Sequence, residues 1–226
     1  MKTTIQAPRR STAPYAIFEV SHLEVVTVNY PGRGTRIREP LLTNIKDLID
    51  DILDQVLKEV SSGDDYILYG HSMGALVGFL VSRRLSKMPL KQPLKLVVSG
   101  HKAPIYPRSK KLAMLEDDAF WEEVNKYGGM PEQLKEYPDL IQFFIPILRA
   151  DFACLEQYVY EKDYKLHIPI DVFYGSEESI SYKQAKDWQM ETTATVSVSE
   201  LAGGHFFIFQ HQQSLLQRFL VNSKMY

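Results

Sequence analysis

Ser72, His205 and a carboxylate near residue 178 are the side chains in this sequence whose types and spacing could do covalent chemistry. The run Tyr66-Ile67-Leu68-Tyr69-Gly70-His71-Ser72-Met73-Gly74-Ala75-Leu76 sets a Gly-x-Ser-x-Gly motif between an apolar stretch and a helical pattern. A serine hydroxyl is a weak nucleophile, and a fold activates it by mounting it on a sharp turn that projects the side chain. Small flanking residues let the backbone pass close by, which is the service of Gly70 and Gly74. The same turn directs the backbone N–H of Met73 and the start of the next helix toward a developing oxyanion. A glycine-rich turn without chemistry would also fit the five residues alone; the strand before and the helix after favour the catalytic reading.

The nucleophile needs a base. His205 lies in Leu201-Ala202-Gly203-Gly204-His205-Phe206-Phe207, after the last expected strand and before a C-terminal helix. That location fits the chain order serine, acid, histidine. The bland alternative is a loop histidine packed on Phe206. His71 adjoins the nucleophile and has the wrong geometry for a base, while His22, His101, His167 and His211 fall at strand ends or on helices. The acid should follow the stretch Ile168 to Tyr174, in Gly175-Ser176-Glu177-Glu178-Ser179-Ile180. Spacing from Gly175 favours Glu178. Glu177 competes, with Asp171 and Asp187 as outsiders.

The elements that must position these residues are legible as period and punctuation. Short β-branched and apolar runs at Leu23 to Tyr30, Tyr66 to Tyr69, Leu94 to Ser99, Ile168 to Tyr174 and Thr195 to Val198 read as buried strands. Apolar residues spaced by three and four from Leu41 to Val60 mark a long amphipathic helix, and a second helix runs from Gly74 to near Leu85. Strands alternating with helices predict an α/β fold with a mostly parallel, doubly wound sheet. From about Pro107 to His167 the alternation gives way to helical segments at Phe120 to Tyr127, Pro131 to Lys135 and Phe143 to Tyr160. An insertion between two strands there is expected to lie over their carboxyl ends as a lid. Trp121, Tyr127, Met130, Phe143, Phe144, Ile147, Leu148 and Phe152 could line an acyl pocket, although the plainer reading makes them the lid's own core.

A chain of 226 residues is long enough for one domain, 1–226, with such an elaboration. The net charge of −2 gives no reason to expect nucleic acid or an anionic membrane. Basic clusters at Arg83, Arg84 and Lys87 and at Arg108, Lys110 and Lys111 read as solvated faces or as docking sites for an acidic protein. The single cysteine, Cys154, excludes an internal disulfide and a cysteine-rich metal site. The N-terminal residues lack the apolar core of an export signal, and no apolar run approaches a membrane span. A cytoplasmic protein is expected.

Beyond the Ser72 and His205 motifs, Tyr30-Pro31-Gly32-Arg33-Gly34-Thr35-Arg36 with Glu39-Pro40, and Pro146-Ile147-Leu148-Arg149-Ala150-Asp151, complete a pattern that spans nearly the whole chain. It resembles the stand-alone type II thioesterases that accompany nonribosomal peptide and polyketide synthases, of the α/β-hydrolase fold. The resemblance implies hydrolysis of acyl groups from the phosphopantetheine arm of acyl or peptidyl carrier proteins, with no cofactor and no metal, in a monomer. Two segments depart from that family. Glu178 stands where an aspartate is usual, so the resemblance implies a Ser72–His205–Glu178 triad. Arg9-Arg10 replace the glycines of the N-terminal oxyanion loop, so that Ala7 or the N–H-lacking Pro8 stands where the second donor belongs. The rivals are a general esterase of small esters with the same catalytic residues, and a binding module that holds a carrier or acyl chain without turnover.

Overall fold

The computed structural model describes residues 2–6, 24–60, 65–108, 110–129 and 132–221. Among these residues six strands form one sheet: β1 (Lys2–Gln6), β2 (Glu24–Val26), β3 (Tyr66–His71), β4 (Leu96–Ser99), β5 (Ile170–Gly175) and β6 (Val196–Leu201). They are ordered β2-β1-β3-β4-β5-β6, and every pairing is parallel. Chain order reverses beside β1, which places a switch point between β1 and β3, where open α/β sheets present their ligand crevice.

Helices cover both faces, as the sequence predicts. Side chains alternate along each strand, so Tyr66 and Leu68 join one core with α1 (Ile45–Glu59) and α2 (Met73–Leu85), built on Ile49, Ile52, Leu76 and Phe79. Ile67 and Tyr69 point the other way and meet Phe207, Ile208 and, from α6 (Gln212–Val221), Leu215. Helix α1 begins later than its apolar period because the Asn44 side chain caps it, accepting from the Lys46 N–H at 2.8 Å.

The sheet differs from the sequence reading at its first edge. The expected strand Leu23 to Tyr30 shortens to Glu24–Val26, because β1 pairs with it only from Lys2↔Glu24 to Thr4↔Val26. Beyond that ladder Asn29 exchanges hydrogen bonds with the Gln55 side chain of α1, its N–H donating at 3.3 Å and its carbonyl accepting at 3.1 Å. Strand β1 itself has too little apolar content to be read as a strand, although Thr3, Thr4 and Ile5 are β-branched. The start of β5 moves from Ile168 to Ile170, since Pro169 has no N–H for a ladder.

Between β4 and β5 lie α3 (Asp117–Asn125), a 3-10 turn (Glu132–Glu136) and α4 (Pro138–Gln157). Helix α4 starts five residues before the expected Phe143, with Pro138 in its first turn where the missing N–H costs nothing. Leu112, Phe120, Val124 and Ile145 make a separate small core, on which Trp121, Leu148 and Phe152 pack. The second half of α4 is fastened to the main body: Arg33 forms a bidentate pair with Asp151 at 2.5 and 2.7 Å, Cys154 donates to the Leu42 carbonyl, and Gln157 to that of Thr43.

Asp171, an outsider for the acid, is instead a structural group of β5. Its carboxylate accepts from Lys95 Nζ at 2.7 Å and from the Ser197 hydroxyl, with side-chain exposures of only 4% for Lys95 and 7% for Asp171. Removing one member of a buried pair leaves the other charge uncompensated, at about 3–5 kcal/mol, whereas replacing both with apolar residues is close to neutral. Urea unfolding of Asp171→Ala is therefore expected to show a loss of that size, and the Lys95→Met/Asp171→Leu double variant most of the wild-type stability.

Candidate active site

Ser72 joins the end of β3 to the start of α2 at φ 55°, ψ −118°, the one non-glycine residue with positive φ among the described residues. Such a conformation persists only where the surroundings over-determine it. Here they do so through backbone contacts. A Cβ on Gly70 would lie 1.9 Å from the Gly74 carbonyl oxygen, so strand and helix meet at a distance no side chain permits. The Ser72 N–H donates to the carbonyl of Ser99 at the end of β4, at 2.8 Å. Met73 follows as the first residue of α2, so its N–H has no acceptor within the helix. Gln6 pairs with Gly70, so the chain leaves β1 level with this turn. The expected second oxyanion donor near Ala7 lies outside the described residues.

The structure brings the three expected side chains into one line. Ser72 Oγ is 2.9 Å from His205 Nε2, and His205 Nδ1 is 2.6 Å from Glu178 Oε1. The other Glu178 oxygen accepts the Gly175 N–H at 2.7 Å, which closes the turn after β5 and aims the carboxylate. Glu177 faces solvent, while its backbone N–H donates to the Gly203 carbonyl at 3.0 Å. Gly175 lets the two loops touch: a Cβ there would be 2.4 Å from that same Gly203 oxygen. Asp187, the remaining outsider, is engaged by Lys183 at 2.6 Å and by the Tyr106 hydroxyl.

Three aromatic or imidazole groups crowd His205. Its ring lies 4.9 Å from that of His71, 5.1 Å from Phe206 and 5.5 Å from Tyr127. Tyr127 thus reaches the site from the helical segment, its hydroxyl accepting from Arg108, whose guanidinium lies over the Phe152 ring. Of the other expected lining residues, Phe143 is exposed and packs edge-on against Phe144, Ile147 is half-buried, and Met130 lies outside the described residues.

The remaining histidines have local partners: His101 the Lys102 carbonyl, His167 the Thr193 hydroxyl, and His211 the Ala202 carbonyl. His22 lies outside the described residues. The first basic cluster is largely neutralised within the chain, with Arg84 on Asp50, Lys87 on Asp163, and Arg83 stacked on Phe79 and facing Glu191. In the second, Lys110 pairs with Glu123 and Lys111 is exposed.

Ser99 and Gly100 are site residues that the sequence reading missed, since a serine and a glycine closing an apolar run carry no distinctive signal. Among the described residues no group of His, Cys, Asp and Glu is arranged to hold a metal ion, and no helix is long and apolar enough to cross a membrane.

A parallel sheet with helices on both faces, a strained serine turn after β3 and a hydroxyl–imidazole–carboxylate line across three strand ends define an α/β-hydrolase of the serine-hydrolase class. Comparison with known proteins narrows the class. The thioesterase-domain family matches residues 19–221, and the chain belongs to that family. It is 29% identical to gramicidin S biosynthesis protein GrsT of Aneurinibacillus migulanus, over 89% of this chain and 81% of that one. Its structure superposes on ClbQ from the colibactin nonribosomal peptide/polyketide pathway with a TM-score of 0.86 and 28% identity, covering 96% and 94% of the two chains. YbtT, the type II thioesterase of the yersiniabactin pathway, gives 0.85 at 26% identity, covering 97% of this chain and 90% of its own.

Two outcomes are expected. Gly70→Ala forces Cβ into the Gly74 backbone, so it should lower stability by about 1–3 kcal/mol in thermal unfolding and displace the serine. Burial lowers the His101 pKa from 6.5 to about 4 and holds that of His71 well below the usual range. Below pH 6.5 the unfolded chain takes up these protons and the folded chain does not, so stability should fall from pH 6.5 toward about 4. Denaturant midpoints across that range check the slope, and His101→Gln should flatten it.

Proposed function

We propose that this chain is a thioesterase that hydrolyses acyl groups from the phosphopantetheine arm of carrier proteins, in the editing or release of units during nonribosomal peptide or polyketide synthesis. The observation that carries the reading is the line Ser72 Oγ, His205 and Glu178, with separations of 2.9 and 2.6 Å. Ser72 attacks the thioester carbonyl while His205 Nε2 takes its proton, and the oxyanion rests on the Met73 N–H. The tetrahedral intermediate collapses, the pantetheine sulfur leaves with the proton from His205, and an acyl-Ser72 remains. Water, deprotonated by His205, attacks that ester and releases the acid and the free serine. Glu178 holds Nδ1–H and stabilises the imidazolium in both halves, and the Gly175 N–H on its other oxygen fixes its direction.

The carrier source of the substrate is supported by the company the chain keeps: GrsT is named for gramicidin S biosynthesis, and ClbQ and YbtT for nonribosomal peptide/polyketide pathways. The helical segment 107–167 serves as the lid, with Tyr127 as its contact to His205. The enzyme works as a cytoplasmic monomer, and Cys154 is a buried thiol with no catalytic part.

Release of acetyl and longer acyl groups from a phosphopantetheinyl carrier protein tests the proposal. Ser72→Ala and His205→Ala should each lose at least about 10³-fold in kcat, and Glu178→Gln about 10²-fold or more. Mass spectrometry with a slowly released acyl group should find the acyl chain on Ser72. Hydrolysis of free esters in preference to carrier thioesters would replace this reading with the esterase; an inert wild type that binds carrier would replace it with the binding module.

A further inference from the structure

Beneath the catalytic line lies a buried polar chain that the mechanism above does not use. Tyr69, His71 and Ser99 are 7%, 3% and 0% exposed. Ser99 Oγ is 2.9 Å from the Tyr69 hydroxyl and 2.9 Å from His71 Nδ1. The carbonyl of the same Ser99 accepts the N–H of Ser72. One residue at the end of β4 thus touches the nucleophile's backbone with its main chain and the neighbouring imidazole with its side chain.

That imidazole is part of the seat of His205. The two rings are 4.9 Å apart and tilted by 41°. Gly100 makes the approach feasible: at φ +62°, a Cβ there would lie 2.7 Å from His71 Cε1 and 3.2 Å from His205 Cε1. His71 Nε2 is buried with no hydrogen-bond partner among the described residues. A buried N–H without an acceptor is rarer than an acceptor without a donor, so the proton belongs on Nδ1, donated to Ser99 Oγ. The Ser99 hydroxyl then fixes both the tautomer and the rotation of the ring. Among the described residues, the groups around His71 are the His205 imidazole, the Phe206 and Phe207 rings, the Ser99 hydroxyl backed by Tyr69 and, further off, the His101 imidazole. None of them is a carboxylate that would charge the ring.

We propose that Ser99 is a positioning residue for acyl transfer: its carbonyl holds the strained Ser72 turn, and its hydroxyl locks His71 as the uncharged wall against which His205 is seated. A charged wall would oppose the imidazolium that His205 becomes when it takes the serine proton. A loose one would let the base drift from Ser72 Oγ. The inference rests on Ser72 and His205 acting as nucleophile and base, and deepens that reading.

The test uses the full chain with two readouts: steady-state hydrolysis of an acetyl-loaded carrier protein, and the labelling rate of Ser72 by a fluorophosphonate, which needs the serine–histidine pair but no thioester. Ser99→Ala should fold and lose about tenfold to a hundredfold in both kcat and labelling rate, with KM within about twofold of wild type. Tyr69→Phe, which leaves the Ser99–His71 bond in place, should lose less than about threefold in either. In 15N-histidine NMR of the wild type, the His71 and His101 rings should both be neutral with the proton on Nδ1 from pH 5 to pH 8; the one that persists in His101→Gln is His71, and Ser99→Ala should change that signal. Labelling of Ser99→Ala within about twofold of wild type, or an Nε2–H tautomer for His71 in the wild type itself, overturns the proposal. Rapid labelling of a wild type that hydrolyses no carrier thioester would defeat the thioesterase reading alone and leave the Ser99 comparison standing.

Discussion

The backbone of Ser72 is held at φ 55°, ψ −118°, a conformation that costs a residue with a Cβ about 1–3 kcal/mol, and much of the structure serves to keep it there. Gly70 and Gly74 let β3 and α2 meet backbone to backbone. Strand β4 supplies the acceptor for the Ser72 N–H. The central strands β3 and β4 are buried along their whole length, so the turn is braced from below by packing as well as from the side by a hydrogen bond.

The same economy explains why so much of the site could be read from the sequence. Ser72 and its glycines form a local motif in which every residue has a steric reason, and His205 follows two glycines on a loop. Glu178 was harder, because a carboxylate on a loop carries no periodicity; its turn with Gly175 is what separates it from Glu177. Ser99 and Gly100 are not legible as site residues, and Tyr127 is legible only as one of several candidates for the pocket lining, without its contact to His205. Their roles arise from residues far apart in the chain, such as the approach of Tyr127 to His205, and no spacing rule reaches across that separation. Strand β1 failed for a different reason. Its partners lie on both sides, β2 and β3, and that pairing makes a strand of Lys2–Gln6 although its composition does not announce one.

Helical segment and main body are joined by a few directional contacts as well as by shared packing. Arg33 sits over the Tyr30 ring at 5.1 Å and grips Asp151 with two hydrogen bonds, which ties the loop after β2 to α4. Burial works against the Asp151 charge and pushes its pKa up, while the Arg33 partnership pulls it down. Arg36 secures the same loop from the other side, reaching Asp51 at 2.6 and 2.7 Å, Glu39 and the Asn29 carbonyl. The Arg33 and Arg36 of one short segment therefore fasten two different helices, α4 and α1, to the edge of the sheet.

Pro146 divides α4 into parts with different obligations. Every fastening to the main body described above, at Asp151, Cys154 and Gln157, lies on its C-terminal side, whereas Leu140 and Phe143 on the other side are exposed. Proline removes a helical hydrogen bond at that point and weakens the mechanical coupling between the halves. Leu140 and Phe143, unlike the buried Ile145 of the small core, are consequently the positions of this half on which selection can act with the least debt to folding. Sequence drift there can remodel the outer face of the helical segment while the sheet, the strained turn and its bracing stay as they are.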